Sequence, residues 1–129
     1  MGSYITGGGS GSSGDVSFEL PLALPTGGTL KFASNATGSA SDQVLFTTTA
    51  GKTAYVIRLT TTRASTGDLQ PVIFKNHAAT EIFRMYSALG NPNFLDLNGA
   101  IICQVAASET LIINNANQTA AVLCVYYEV

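Results

Sequence analysis

The sequence predicts an all-β fold, an antiparallel β-sandwich of jelly-roll type carrying an extended N-terminal arm. Three observations predict it. Short apolar runs rich in Val, Ile, Thr, Phe and Tyr recur along the chain, and these residues suit a pleated, half-buried surface. Turn-forming clusters of Gly, Pro, Asn, Asp and Ser separate the runs at short, regular spacing, the pattern of a sandwich or barrel. The 129 residues suit one domain, whose folding buries roughly two-thirds of the unfolded surface.

Residues 1–14, MGSYITGGGSGSSG, carry no charge and hold glycines at 2, 7, 8, 9, 11 and 14. Such a stretch cannot bury a core of its own. Three readings stay open for it: an artificial linker, an arm that reaches a neighbouring subunit, or an arm folded back on its own domain. Extended, it spans roughly 45 Å, against a radius of gyration of about 14 Å for a domain of this size. Tyr4 and Ile5 are its large apolar side chains and the expected anchors. The run 16–20 (VSFEL) follows, with Val16 and Phe18 alternating as the first strand that links arm to sandwich. Residues 15–129 are expected to form the single domain.

The next runs are 29–33, 43–49, 53–62, 69–75, 80–86, 94–97, 100–106, 109–114 and 119–128. In the run 53–62, Tyr55, Ile57 and Leu59 fall on one face and Arg58 and Thr60 on the other, with Val56 out of phase. Period two is the mark of a half-buried antiparallel strand. The stretch 80–89 also fits a short helix, with Thr80 as cap and Gly90 as terminator. Its alternation of Ile82, Arg84 and Tyr86 against Glu81, Phe83 and Met85 favours a strand. Asn98-Gly99 is a strong turn signal, because a type I′ turn needs positive φ at both central residues, and a tight hairpin is expected over 94–106. The last run is apolar on both faces, with Leu123, Val125 and Tyr127 opposite Val122, Cys124 and Tyr126. That predicts a strand at the centre of a sheet or at a subunit contact. Roughly eight to ten strands match a double-sheet jelly roll.

Charge narrows the function classes. Only 11% of residues are charged, for a net charge of −2, where soluble domains carry roughly a quarter. There is no basic footprint for nucleic acid or anionic lipid. No apolar run approaches the ~20 residues that span a bilayer, and no secretory leader is evident, so synthesis in the cytoplasm is expected. Cys103 and Cys124 form no CxxC pair; a bridge stays open if their strands are neighbours, but buried free thiols are expected.

The chemistry-bearing residues are few. His77, the sole histidine, falls in the turn Asn76-His77-Ala78-Ala79, where a solvated role is expected. One His and two distant Cys do not make a zinc site. Asp96-Leu97-Asn98-Gly99 lacks the later ligands of a calcium loop, and Gly7-Gly8-Gly9 lacks the context of a phosphate loop. No enzyme activity, metal or cofactor is expected. Uncharged Thr, Ser, Asn, Ala and Gly fill the arm, the turns and outward strand positions, and a surface so poor in charge is one that partners cover.

One layout stands out. A strand leads into Ala50-Gly51-Lys52-Thr53-Ala54 and continues as Tyr55-Val56-Ile57-Arg58-Leu59. Near the end come Ala107-Ser108-Glu109-Thr110-Leu111-Ile112-Ile113, an Asn-rich turn and an apolar final strand. Over residues 43–129 this resembles the small β-sandwich virion proteins of tailed bacteriophages, especially capsid decoration (cement) proteins. The resemblance implies a trimeric jelly-roll-like domain on the capsid surface that stabilises the shell by bridging major capsid proteins. It implies Tyr4, Ile5, Val16 and Phe18 as partner-binding positions. The alternative is a receptor- or glycan-binding fibre module, for which Phe94, Tyr86 and the loop around His77 are the candidate contacts.

Overall fold

The computed structural model describes residues 25–37, 41–63, 70–87, 92–116 and 120–129. The arm, and with it Tyr4, Ile5, Val16 and Phe18, lies outside the described residues. So does the turn at 65–68.

Two antiparallel sheets pack face to face, as the alternating runs predict. The strands are β1 (Thr29–Thr37), β2 (Gln43–Thr47), β3 (Ala54–Arg63), β4 (Gln70–Lys75), β5 (Glu81–Ser87), β6 (Asn93–Asp96), β7 (Cys103–Val105), β8 (Thr110–Asn114) and β9 (Ala120–Glu128). The larger sheet runs β1-β9-β3-β6, with β7 also on β3, and the smaller runs β2-β8-β4-β5. Most successive strands change sheet, the exceptions being β4 to β5 and β6 to β7, and the interleaved order is that of a jelly roll. Residues 81–87 are strand, not helix: Val72 pairs with Met85 and Phe74 with Phe83. A helix there would leave the edge of β4 bare.

The core lies between the sheets. Val56, Leu59, Val122 and Cys124 from the larger sheet meet Val72, Phe74, Leu111 and Ile113 from the smaller, all essentially solvent-free. Phe46 stacks on Tyr126 with ring centroids 4.0 Å apart, and Phe74 on Phe83 at 4.7 Å. Such ring pairs add roughly 0.5–1.5 kcal/mol each beyond area burial.

The structure corrects two sequence expectations. The phase in β3 is not that of Tyr55, Ile57 and Leu59 together, because a bulge between Val56 and Arg58 shifts the register against β9. One inserted residue flips every later side chain, so Ala54, Val56, Leu59 and Thr61 all point inward. Residues 94–106 are not a hairpin. β6 and β7 both pair antiparallel with β3 as successive stretches of one edge, Arg58 opposite Asp96 and Val56 opposite Cys103. The Asn98-Gly99 turn does form, at φ 58° and 87°, but its flanks pair only at Leu97 and Ala100. It is a small excursion, after which the chain rejoins the same partner strand.

Candidate functional site: the outer face of the larger sheet

β9 sits between β1 and β3, the central position its two apolar faces predicted. Val122, Cys124 and Tyr126 enter the core, so Ala121, Leu123, Val125 and Tyr127 point outward. Register places their neighbours in rows across the sheet. Leu30, Tyr127 and Tyr55 form one row, and Phe32, Val125, Arg58 and Asp96 the next. Ser34, Leu123, Thr60 and Phe94 form the third, and Ala36, Ala121 and Thr62 the last.

The result is an apolar outer face. Phe32 is 67% exposed, Phe94 63%, Leu30 51% and Leu123 45%. Scattered exposed apolar residues are ordinary, whereas a contiguous set on one face marks an interaction surface. A shallow groove of about 330 Å³ runs among Leu30, Phe32, Ile57 and Val125 beside the Arg58–Asp96 pair. Among the described residues those two are the face's charged members, and they neutralise each other. Arg58 donates from Nε and Nη2 to Asp96 Oδ2 at 3.0 and 2.7 Å, and Asn98 N donates to Asp96 Oδ1 at 3.0 Å. The hydrogen bonds from Arg58 hold the Asp96 carboxyl below its ordinary pKa.

The outer face of the smaller sheet is different. Val44, Ile82 and Tyr86 are exposed there, but they stand among two ion pairs. Lys75 donates to Asp42 at 2.7 Å, and Arg84 pairs with Glu81 through two hydrogen bonds. Asn114 also donates to Asp42, at 3.0 Å. A partner covering this face would have to desolvate those charges, which is costly.

At one end of the larger sheet a polar latch ties three segments together. Glu128, 2% exposed in its side chain, accepts from Lys31 Nζ. It also accepts from Thr49 N at 2.8 Å and Thr49 Oγ1 at 2.9 Å. Burial pushes the Glu128 pKa up, but the hydrogen bonds from Lys31 and Thr49 outweigh it and bring it down to about 2. Next to the latch, the Tyr127 hydroxyl accepts from Gly28 N at 2.7 Å and donates to the Pro25 carbonyl. The Tyr127 ring lies on the Gly28 backbone, where a Cβ would have no room. The described chain thus begins on the outer side of the larger sheet.

His77 occupies the turn between β4 and β5 as expected, and its Nδ1 lies 3.0 Å from Thr110 Oγ1. Tyr86 pairs with Pro71 at the opposite end of that hairpin, and Phe94 belongs to β6 in the other sheet. The three candidates for a glycan contact are not gathered into one site. Cys103 and Cys124 are free thiols; burial pushes Cys103 up to about 11 and Cys124 further, so neither is a ready nucleophile. Among the described residues no three of His, Cys, Asp and Glu come together as a metal set.

Sequence reasoning named Phe94 among possible contacts but missed Leu30, Phe32 and Leu123 as a face. The alternation of Leu30 and Phe32 with Lys31 was visible in the run 29–33. That their side points away from the core needed the register.

No family model matches the chain, and no curated protein matches it. Among solved structures, the chain is similar to one described as "Bacillus endospore appendages form a novel family of disulfide-linked pili". The similarity has TM-score 0.44 and 11% identity, and covers 85% of this chain and 96% of that one. A likeness at this level leaves function to be argued from the surface itself.

Proposed function

We propose that this protein is a non-catalytic structural subunit of a protein assembly, and that its copies associate through the outer face of the larger sheet. The observation that carries this reading is the row-by-row apolar surface of Leu30, Phe32, Phe94, Leu123 and Val125, with the internally neutralised Arg58–Asp96 ion pair beside it. Each of these side chains is already partly covered by its neighbours. Burying the remainder contributes about 1 kcal/mol apiece, and the low local charge avoids a desolvation cost. The capsid-decoration reading is a specific form of this proposal, in which a homotrimer bridges major capsid proteins at the virion surface.

The experiment is sedimentation equilibrium of the full chain and two variants, Phe32→Glu on the proposed face and Ile82→Glu on the other sheet. Phe32→Glu should weaken self-association by about tenfold or more, as for a central interface residue. Ile82→Glu should leave it unchanged. Equal association of Phe32→Glu and the parent chain would contradict the proposal, as would a parent chain that stays monomeric at every concentration.

A further inference from the structure

The outer strands of an open sheet expose backbone N–H and C=O groups that can pair with another chain, and proteins guard such edges with short strands, charges and bulges. Most edges of this sandwich are guarded. β2 is five residues long and is interrupted by a bulge between Val44 and Phe46. β5 carries the ion-paired Glu81 and Arg84. One edge of the larger sheet is split into β6 and β7, of four and three residues, with the Asn98-Gly99 excursion between them. β1, at the other edge, is the exception. It is nine residues long, holds no Pro or Gly, and pairs with β9 from Thr29 to Thr37 without a register shift. Among the described residues no strand pairs with its other side. Its one charged residue, Lys31, stands on the inner side in the row of Tyr126 and is tied to Glu128.

Alternate residues of a strand turn their N–H and C=O to opposite sides. One set of β1 backbone groups therefore bonds β9 while the other set points outward. A second observation says what meets them. Asn35 Oδ1 is buried and, among the described residues, has no hydrogen-bond partner, which costs free energy until a donor arrives. Asn35 and Lys31 share the inner side of β1, both being odd positions. Lys31 Nζ bonds Glu128 and Thr49 Oγ1 and keeps a third N–H. Residues opposite each other across a strand pair face the same side of the sheet, so two copies of β1 pair only with odd opposite odd and even opposite even. A two-fold axis at Ala33 sets Lys31 of each copy opposite Asn35 of the other, and Phe32 opposite Ser34.

We propose that β1 is a self-pairing edge: two copies of this chain join β1 to β1, antiparallel, about a two-fold axis at Ala33, and their larger sheets become one continuous sheet. The contact is isologous, and the donor that Asn35 lacks in one copy comes from Lys31 of the other. It goes beyond the face contact, because it uses the backbone edge and leaves Phe94 and Leu123 uncovered. The two outer faces then lie side by side in one sheet, so edge and face contacts together let an assembly grow past a closed pair.

The test uses the full chain. Amide hydrogen exchange is followed by NMR over a range of concentrations, and isotope-filtered NOEs are collected on an equal mixture of labelled and unlabelled protein. Alternate amides of β1 should exchange about tenfold or more slowly in concentrated solution than in dilute solution, while those bonded to β9 stay slow throughout. NOEs should join Phe32 of one copy to Ser34 of the other. Asn35→Leu should weaken pairing by about tenfold without lowering the Tm of the dilute chain, and Leu123→Glu should leave the protection of β1 unchanged. Outward amides of β1 that exchange at one rate at every concentration would overturn the proposal, whether fast because the edge stays bare or slow because the subunit covers it itself. Undiminished pairing of Asn35→Leu would overturn the axis at Ala33. NOEs that run only between Leu123 and Phe94 of the two copies would overturn the edge and leave the face standing. An association constant unmoved by Leu123→Glu, with β1 still protected, is the separate result that removes the face and keeps the edge.

Discussion

Replacing Glu128 with Gln isolates the charge of the polar latch. The amide keeps the carboxylate's volume and can still accept from Thr49 N, but loses the ionic hydrogen bond from Lys31. The Glu128 pKa falls from its ordinary 4.5 to about 2, which at about 1.4 kcal/mol per unit bounds the contribution at about 3 kcal/mol. Lys31 is 37% exposed in its side chain, so solvent screens the pair and about 1–2 kcal/mol is expected. The Tm should drop by about 4–10 °C for a domain of this size. The pH dependence gives the sharper reading. A depressed carboxylate stabilises the fold fully above its unfolded pKa, and that stability is lost as pH falls from about 4.5 through about 2. Urea unfolding of both proteins between pH 7 and pH 2 should show a constant gap at neutral pH that narrows below about pH 4.5 and closes near pH 2. A gap that stays constant down to pH 2 would refute the ionic account of the latch.

Four further outcomes follow from the geometry. Gly28→Ala should cost about 2 kcal/mol by chemical denaturation, because its Cβ would lie 2.7 Å from the Glu128 carbonyl oxygen and against the Tyr127 ring; removing the hydroxyl with Tyr127→Phe should cost about 1 kcal/mol. Phe74→Ala empties a solvent-free site stacked on Phe83 and should lose about 3–5 kcal/mol, read as a lower urea midpoint. Cys103 and Cys124 should react with a thiol reagent only when the chain unfolds, since burial raises both pKa values, and unfolding should release two equivalents.

Much of the strand layout was legible because it depends on local pattern. The runs at 29–33, 43–49 and 109–114 became β1, β2 and β8 with shifts of a few residues at their ends, and the two apolar faces of the last run placed β9 at a sheet centre. What the pattern hid was pairing. The bulge at Ile57 is set by β9 and β7 on either side of β3, so Val56 looked out of phase when it is Ile57 that is extra. Asn98-Gly99 announced its own turn correctly, but the choice between a hairpin and a return to the same edge depends on β3, some forty residues earlier. The Arg58–Asp96 pair and the Glu128 latch join residues far apart in sequence, and no spacing rule reaches across a jelly roll. The outer face was illegible for the same reason: Leu30, Leu123 and Phe94 become neighbours only through register.

An electron cryomicroscopy reconstruction of the assembled form addresses the central claim most directly, because it shows which face meets the neighbouring protein. The account predicts neighbouring density against Leu30, Phe32, Phe94 and Leu123, with the ion-paired face of Val44, Ile82 and Tyr86 turned to solvent. Contact through that second face, with Phe32 and Leu123 left bare, would contradict it.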